Sequence, residues 1–195
     1  MLNIFLDLRI ARDYGNIGDY DSEFAGLNGR MPEFSALLGH HSLRQLESAV
    51  TRRNEIAAYY RERLGQLPGM SVQLVGSGNR CSFKDFSVTV DAAVFGLTRD
   101  ELAVVLGAEN IDTRKYFDPP AHQQKAYRAY APAEPSLPNT KRLAARILNL
   151  PIWSHMEEST AAGVCLAIER AYEFREVIRA KLKQDGVKAQ SVAAS

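Results

Sequence analysis

The sequence predicts an α+β fold in which a small, mostly antiparallel sheet packs against helices. Three observations carry that prediction. Segments of period-two alternation cluster in the middle of the chain, helical periodicity flanks them on both sides, and no internal repeat breaks the order.

Taken in order, residues 1–13 place Leu2, Phe5, Leu6 and Ile10 at helical spacing, which predicts one or two helical turns. RDYGNIGDYDSEFAGLNGRMP, rich in Gly, Asp and Asn, follows and reads as an extended loop, long enough to be functional. Pro32 then Glu33 is a helix start. Leu46, Ala49, Val50, Ala57, Tyr60 and Leu64 form one apolar stripe that ends at Gly65 and Pro68-Gly69. Arg53 lies within that stripe and must be paired or must snorkel.

MSVQLV (70–75) and CSFKDFSVTV (81–90) read as strands joined through the turn GSGNR. A short helix follows, with Thr98 as N-cap and Glu101 three residues on, the spacing of a capping box. IDTRKYF (111–117) reads as a third strand leading into the Pro-rich loop DPPAHQQKAY. NTKRLAARILNL reads as a helix, LPIW (150–153) as a short extended piece. A long final helix begins near Glu157, with Ala161, Val164, Ile168, Ala171, Tyr172, Ile178 and Leu182 along one side. The small, polar tail GVKAQSVAAS is expected to fray.

Composition excludes several function classes. The 195 residues suffice for one core, burying roughly 70% of the unfolded chain's surface. With 24 Lys and Arg against 23 Asp and Glu, the net charge of +1 offers no field for nucleic acid or an anionic membrane. No apolar run approaches a membrane span, and no basic flank or cleavage site marks a signal peptide. Cys81 and Cys165 lack metal-ligand spacing and sit among apolar neighbours, so they are expected as reduced thiols of a soluble cytoplasmic protein.

The common catalytic templates fail. GSG at 76–78 lacks a third glycine and joins two strands, so it is a turn. His40, His41, His122 and His155 offer no ligand set, and no nucleophile elbow is present, so neither a metal site nor a self-contained catalytic constellation is expected. Two stretches remain. In GLNGRMPEF, Asn28 and Arg30 flank a glycine just before a helix. They suit phosphate or carboxylate binding, or they are a turn residue and a surface charge. In RKYFDPPAHQQKAY, adjacent prolines stiffen a loop bearing Tyr116, Phe117, His122 and Tyr127. Such a loop contacts a ligand or is a packed connection.

RDYGN, GLNGRMPEFSALLGHHSLRQLE and RRNEIAAYYRERL together resemble the second half of the DegT/StrS-type aminotransferases. The resemblance continues through IDTRKYFDPPAHQQKAY and LPNTKRLAARILNLPIW, covering about Arg12 to Tyr172. These are pyridoxal-phosphate enzymes of fold type I, acting mostly on nucleotide-linked keto-sugars. The resemblance implies that residues 1–30 are a remnant of the large domain with an active-site loop, that 31–185 form the small C-terminal domain, and that 186–195 are a flexible tail. It implies cofactor-phosphate contacts across a dimer for Asn28 and Arg30, and sugar-substrate contacts for Tyr116 and His122.

In the family, the lysine that forms the Schiff base and the aspartate that pairs with the pyridine nitrogen precede RDYGN. Lys84, Lys115, Lys125, Lys141, Lys181, Lys183 and Lys188 lack the family's serine-rich lysine context. MLNIFLDL also departs from the acidic helix that usually leads into the loop. The expectation is therefore no catalytic residue in this chain, no covalently bound cofactor and no transamination by it alone. The expected partners are a nucleotide-sugar when complete, and a second copy or a separate N-terminal half. The alternative is a non-catalytic interaction or oligomerisation module, or one half of a split enzyme.

Overall fold

The computed structural model describes residues 4–18, 21–130 and 137–185. The chain divides into two compact units, 1–47 and 48–195, and each is described by itself.

In the first unit the expected helical turns at the start are α1 (Ile4–Ala11). The segment after it is more ordered than the extended loop its composition suggests. It folds back on itself: Tyr14 N donates to Leu27 O at 3.0 Å, Leu27 N to Ala11 O at 2.7 Å, and Gly29 N to Arg12 O at 2.8 Å. Two glycines make the return possible. A Cβ on Gly15 would overlap the Phe24 carbonyl, and one on Gly26 would overlap the Gly15 backbone nitrogen. The helix expected after Pro32 is α2 (Glu33–Leu64), whose residues up to 47 belong to this unit. Ile4, Phe5 and Leu8 of α1, and Phe34, Leu37 and Leu43 of α2, are exposed.

The second unit holds the core. Strands β1 (Met70–Val72), β2 (Phe86–Val90) and β3 (Ile147–Leu150) form a three-stranded sheet in the order β1-β2-β3. Both pairings are antiparallel, with Val88 opposite Val72 on one side and Leu148 on the other. Alternation sends Phe86, Val88, Val90, Leu148 and Leu150 into one buried cluster. Ile56, Ala57, Tyr60 and Leu64 of α2 join the cluster, as do Leu102 and Leu106 of α4 (Arg99–Ala108). From α6 (Glu158–Glu173) come Ala161, Val164, Cys165 and Ile168. Tyr60 packs its ring 5.1 Å from that of Phe86 and donates its hydroxyl to Pro151 O at 2.9 Å. Arg53 finds its partner in Ser154 Oγ at 3.2 Å. The α+β architecture with a small antiparallel sheet is thus the one the sequence predicts.

The capping box stands as read. Thr98 Oγ1 accepts from Glu101 N at 3.1 Å, and Thr98 N donates to Glu101 Oε2 at 2.7 Å. A one-turn helix, α3 (Ala92–Phe95), precedes it, capped by the Asp91 side chain, which accepts from Ala93 N at 3.1 Å. The strands are shorter than predicted, because residues 81–85 form a loop in which Cys81 O accepts from Asn54 Nδ2 at 2.9 Å.

Three expectations need correction. Residues 111–117 are not a strand: they meet the β3 edge at one bridge, Arg114 with Asn149. The pairing ends there because the Asn149 side chain, not a backbone carbonyl, accepts from Tyr116 N at 3.2 Å. The helix expected over NTKRLAARILNL stops as α5 (Pro138–Ala144), since Ile147–Leu150 pair with β2 and non-local pairing overrides a helical pattern. The single final helix is two, α6 and α7 (Arg175–Gln184), parted at Phe174. The expectation of a frayed tail at 186–195 falls outside the described residues.

Burial pushes the Cys165 thiol up to about 12 from 9.0, with Arg63 opposing and Glu169 adding to the rise. Burial likewise raises the Tyr60 hydroxyl. A native thiol that stays protonated while the unfolded one ionises contributes stability below pH 9 and loses it as pH climbs toward 12. Urea midpoints should therefore fall from pH 9 upward. Cys165→Ala should flatten part of that fall, and an unchanged slope in the variant would contradict the assignment.

Candidate functional site

The loop between α4 and α5 is held by Arg99 (3% exposed) and Asn149 (5%), the two buried polar or charged residues among those described in the second unit. Arg99 stands in the first turn of α4, where the helix dipole disfavours a cation. Its guanidinium meets two carbonyls and two carboxylates. Nη1 donates to Ala144 O at 3.0 Å and to Ile147 O at 3.2 Å. Nη2 donates to Asp118 Oδ2 at 2.6 Å, and Nε lies 2.9 Å from Asp100 Oδ1 in an ion pair that is not aligned as a hydrogen bond. Asp100 is also paired with Lys115. Two cations thus face two carboxylates around the base of the loop.

Asn149 works from the sheet. It exchanges backbone hydrogen bonds with Arg114, at 2.7 and 3.2 Å. Its Oδ1 accepts from Tyr116 N, and its Nδ2 donates to Ser87 Oγ at 2.9 Å. Tyr116, a residue 38% exposed, is therefore fixed at its backbone while its ring lies 5.1 Å from the Phe117 ring. Tyr116 lines two cavities. One, of about 560 Å³, lies on the outer sheet face against Gln73, Ser87, Thr89 and Asn149; the other, of about 210 Å³, lies against Phe117, Pro120 and Leu143.

His122 follows Pro119 and Pro120 in a 3₁₀ turn (Ala121–Gln123), and a second such turn spans Lys125–Tyr130. The His122 Nε2 is shielded from solvent and has no hydrogen-bond partner among the described residues. Tyr116 and His122 thus share one anchored loop, but no described contact joins the two side chains.

Asn28 and Arg30 belong to the first unit. Asn28 pairs through its backbone with Asp13, and its side chain is exposed. Arg30 Nε lies 3.6 Å from Asp13 Oδ1, and its guanidinium sits 5.7 Å from the Tyr14 ring centroid. Arg30 lines a cavity of about 450 Å³ together with Leu6, Arg9, Arg12, Asp13 and Asn16; Asn28 does not line it. Three arginines against one aspartate give this lining a net positive charge that suits an anion.

Sequence reading named Tyr116, His122, Asn28 and Arg30 but missed the residues that hold them. A basic residue in a capping-box first turn was the one available signal for Arg99. Nothing local marks Asn149, Asp118 or the convergence of Arg9 and Arg12. Among the described residues no three His, Cys, Asp or Glu side chains could hold a metal, and no helix is long and apolar enough to cross a membrane.

Comparison with known proteins places the two segments in one context. The profile of the DegT/DnrJ/EryC1/StrS aminotransferase family matches residues 7–169. The chain is 34% identical over 161 residues to dTDP-3-amino-3,4,6-trideoxy-alpha-D-glucose transaminase of Streptomyces venezuelae, covering 83% of this chain and 41% of that protein. It is 29% identical over 160 residues to dTDP-4-amino-4,6-dideoxy-D-glucose transaminase of Escherichia coli, covering 80% and 43% respectively. Its fold superposes on S. venezuelae DesV, solved in complex with a ketimine intermediate, with a TM-score of 0.79 at 33% identity. That match covers 87% of this chain and 44% of DesV. The chain therefore spans less than half the length of the relatives it matches.

Asn149→Ala removes the acceptor of Tyr116 N and the donor to Ser87 at a buried position. The expected cost is about 1–3 kcal/mol in urea denaturation. A variant as stable as the parent would show that neither bond contributes.

Proposed function

The chain belongs to the DegT/DnrJ/EryC1/StrS aminotransferase family, and from that premise we propose that it supplies the C-terminal portion of an enzyme that transfers an amino group, from glutamate, to a nucleotide-linked keto-sugar. The observation that carries the proposal is the family match running through both candidate segments in order, over residues 7–169. The relatives it resembles are named as transaminases of dTDP-linked sugars. Residues 1–30 then belong with the large domain and its active-site loop, 31–185 form the small domain, and the protein acts in the cytoplasm, where its two unbridged thiols stay reduced.

The residues present fit one end of pyridoxal phosphate. The arginines lining the first unit's cavity match a phosphate in charge, so Arg30, with Asn28 beside it in sequence, would hold the phosphate of a cofactor bound to a partner subunit. When bound, that cofactor supplies the electron sink for amino transfer. Tyr116 offers the sugar ring a flat aromatic face on a loop whose backbone is already fixed, and His122, on the same loop, would be the second contact.

On this proposal the carrier amine lies outside the matched segment, since the family's Schiff-base lysine precedes it and none of this chain's lysines stands in that lysine's serine-rich context. Catalysis therefore requires a lysine-bearing N-terminal portion, on the same or another polypeptide.

A second function, as an association module, is favoured by the exposed apolar side chains of α1 and the start of α2. Exposed side chains such as Phe5 and Leu8 of α1, and Phe34, Leu37 and Leu43 of α2, would be covered by either a second copy or a lysine-bearing half. Light scattering over a range of concentrations tests this, and a monomer throughout would exclude self-association.

Borohydride treatment of the 195-residue chain with pyridoxal phosphate should leave only scattered, substoichiometric pyridoxyl groups, with no one lysine modified selectively. Addition of a lysine-bearing N-terminal portion should give amino transfer from glutamate to a dTDP-linked keto-sugar, reduced by Arg30→Ala. A stoichiometric adduct at one lysine of the chain alone would contradict the proposal.

A further inference from the structure

We propose that Arg99 is a positioning residue that sets the loop bearing Tyr116 and His122, acting through Asp118. The functional half of this inference rests on the loop facing a sugar substrate.

The geometry is a clamp with two jaws. On one side Arg99 holds the α5–β3 junction, through the carbonyls of Ala144 and Ile147. On the other it holds the loop at Asp118, two residues beyond Tyr116 and four before His122. Asp118 is immediately followed by Pro119 and Pro120, so fixing its carboxylate fixes the direction in which a stiff segment leaves. Lys115, one residue before Tyr116, is tied to Asp100, and Tyr116 N is tied to Asn149. The loop is therefore fastened on both sides of Tyr116, and Arg99 contacts both carboxylates involved.

The chemistry requires arginine. Four directions must be served at once: two carbonyls, one carboxylate in line with Nη2 and another beside Nε. A planar guanidinium with five donors can do this, whereas a lysine ammonium presents one nitrogen and three donors. The bonds also divide by purpose. The two carbonyl bonds lie within the packed unit, whereas the Asp118 bond reaches a carboxylate that is 37% exposed and outside the apolar cluster. Removing Asp118 should consequently release the loop and spare the core.

Hydrogen exchange read by mass spectrometry on the full chain separates those effects. Arg99→Met risks losing the fold, so Asp118→Ala and Asp118→Asn are the informative variants. In Asp118→Ala the amides of residues 115–124 should exchange roughly tenfold faster or more, as expected for losing a bond to a charged group. Those of β2 and β3 should keep their parental rates. Asp118→Asn, which retains an acceptor for Nη2, should fall between the two. Unchanged loop exchange in Asp118→Ala, or equal acceleration of loop and strands, would overturn the proposal. The readout does not depend on turnover. Its failure would remove the clamp and leave the aminotransferase proposal intact, while failure of the latter would leave the clamp without a substrate to serve.

Discussion

A buried guanidinium organises the candidate site. Taking a charge the size of Arg99 out of water costs several kcal/mol unless good geometry offsets it. Here the offset comes from two carbonyls at the end of α5 and start of β3, and from Asp118 and Asp100. These groups come from three separated stretches of chain, and they meet only if α4, the α5–β3 junction and the loop are each in place. The arrangement therefore couples the sheet to the loop. With Lys115 included, its two positive and two negative charges balance, so the cluster presents no net charge to a ligand.

The sheet makes this coupling possible through its two-sidedness. Val88, Leu148 and Leu150 fill the core, which frees the opposite face of β3 for Asn149. Asn149 sits where a continuing ladder would need a fourth strand, and its side chain closes the pairing after a single bridge. A strand there would have placed alternate side chains on opposite faces of the sheet. A loop instead turns outward and carries Tyr116 and Phe117 with it. The first unit uses backbone contact in a different way. Close approach at Gly15 and Gly26 lets the chain double back, and the same return pairs Asp13 with Asn28.

Local signals in the sequence were legible where the structure is local. The capping box at Thr98 and Glu101, the helix start after Pro32 and the apolar stripe ending at Leu64 depend on neighbours within a few residues. The reading failed where partners are distant. Ile147–Leu150 looked helical because nothing nearby reveals that Phe86–Val90 waits to pair with it. IDTRKYF alternates like a strand, yet its partner edge is withdrawn by one asparagine side chain. For the site, residue type and the family resemblance picked out Tyr116, His122, Asn28 and Arg30. The supporting groups were invisible, since Arg99, Asp118, Ala144 and Ile147 become neighbours only after folding.

Nitrogen-15 NMR of the arginine side chains addresses the central interaction most directly. If Arg99 is held simultaneously by Ala144, Ile147, Asp118 and Asp100, its Nη protons should resolve as separate, slowly exchanging signals at neutral pH and room temperature. A single averaged signal exchanging freely with water, like that of an exposed arginine, would contradict the account.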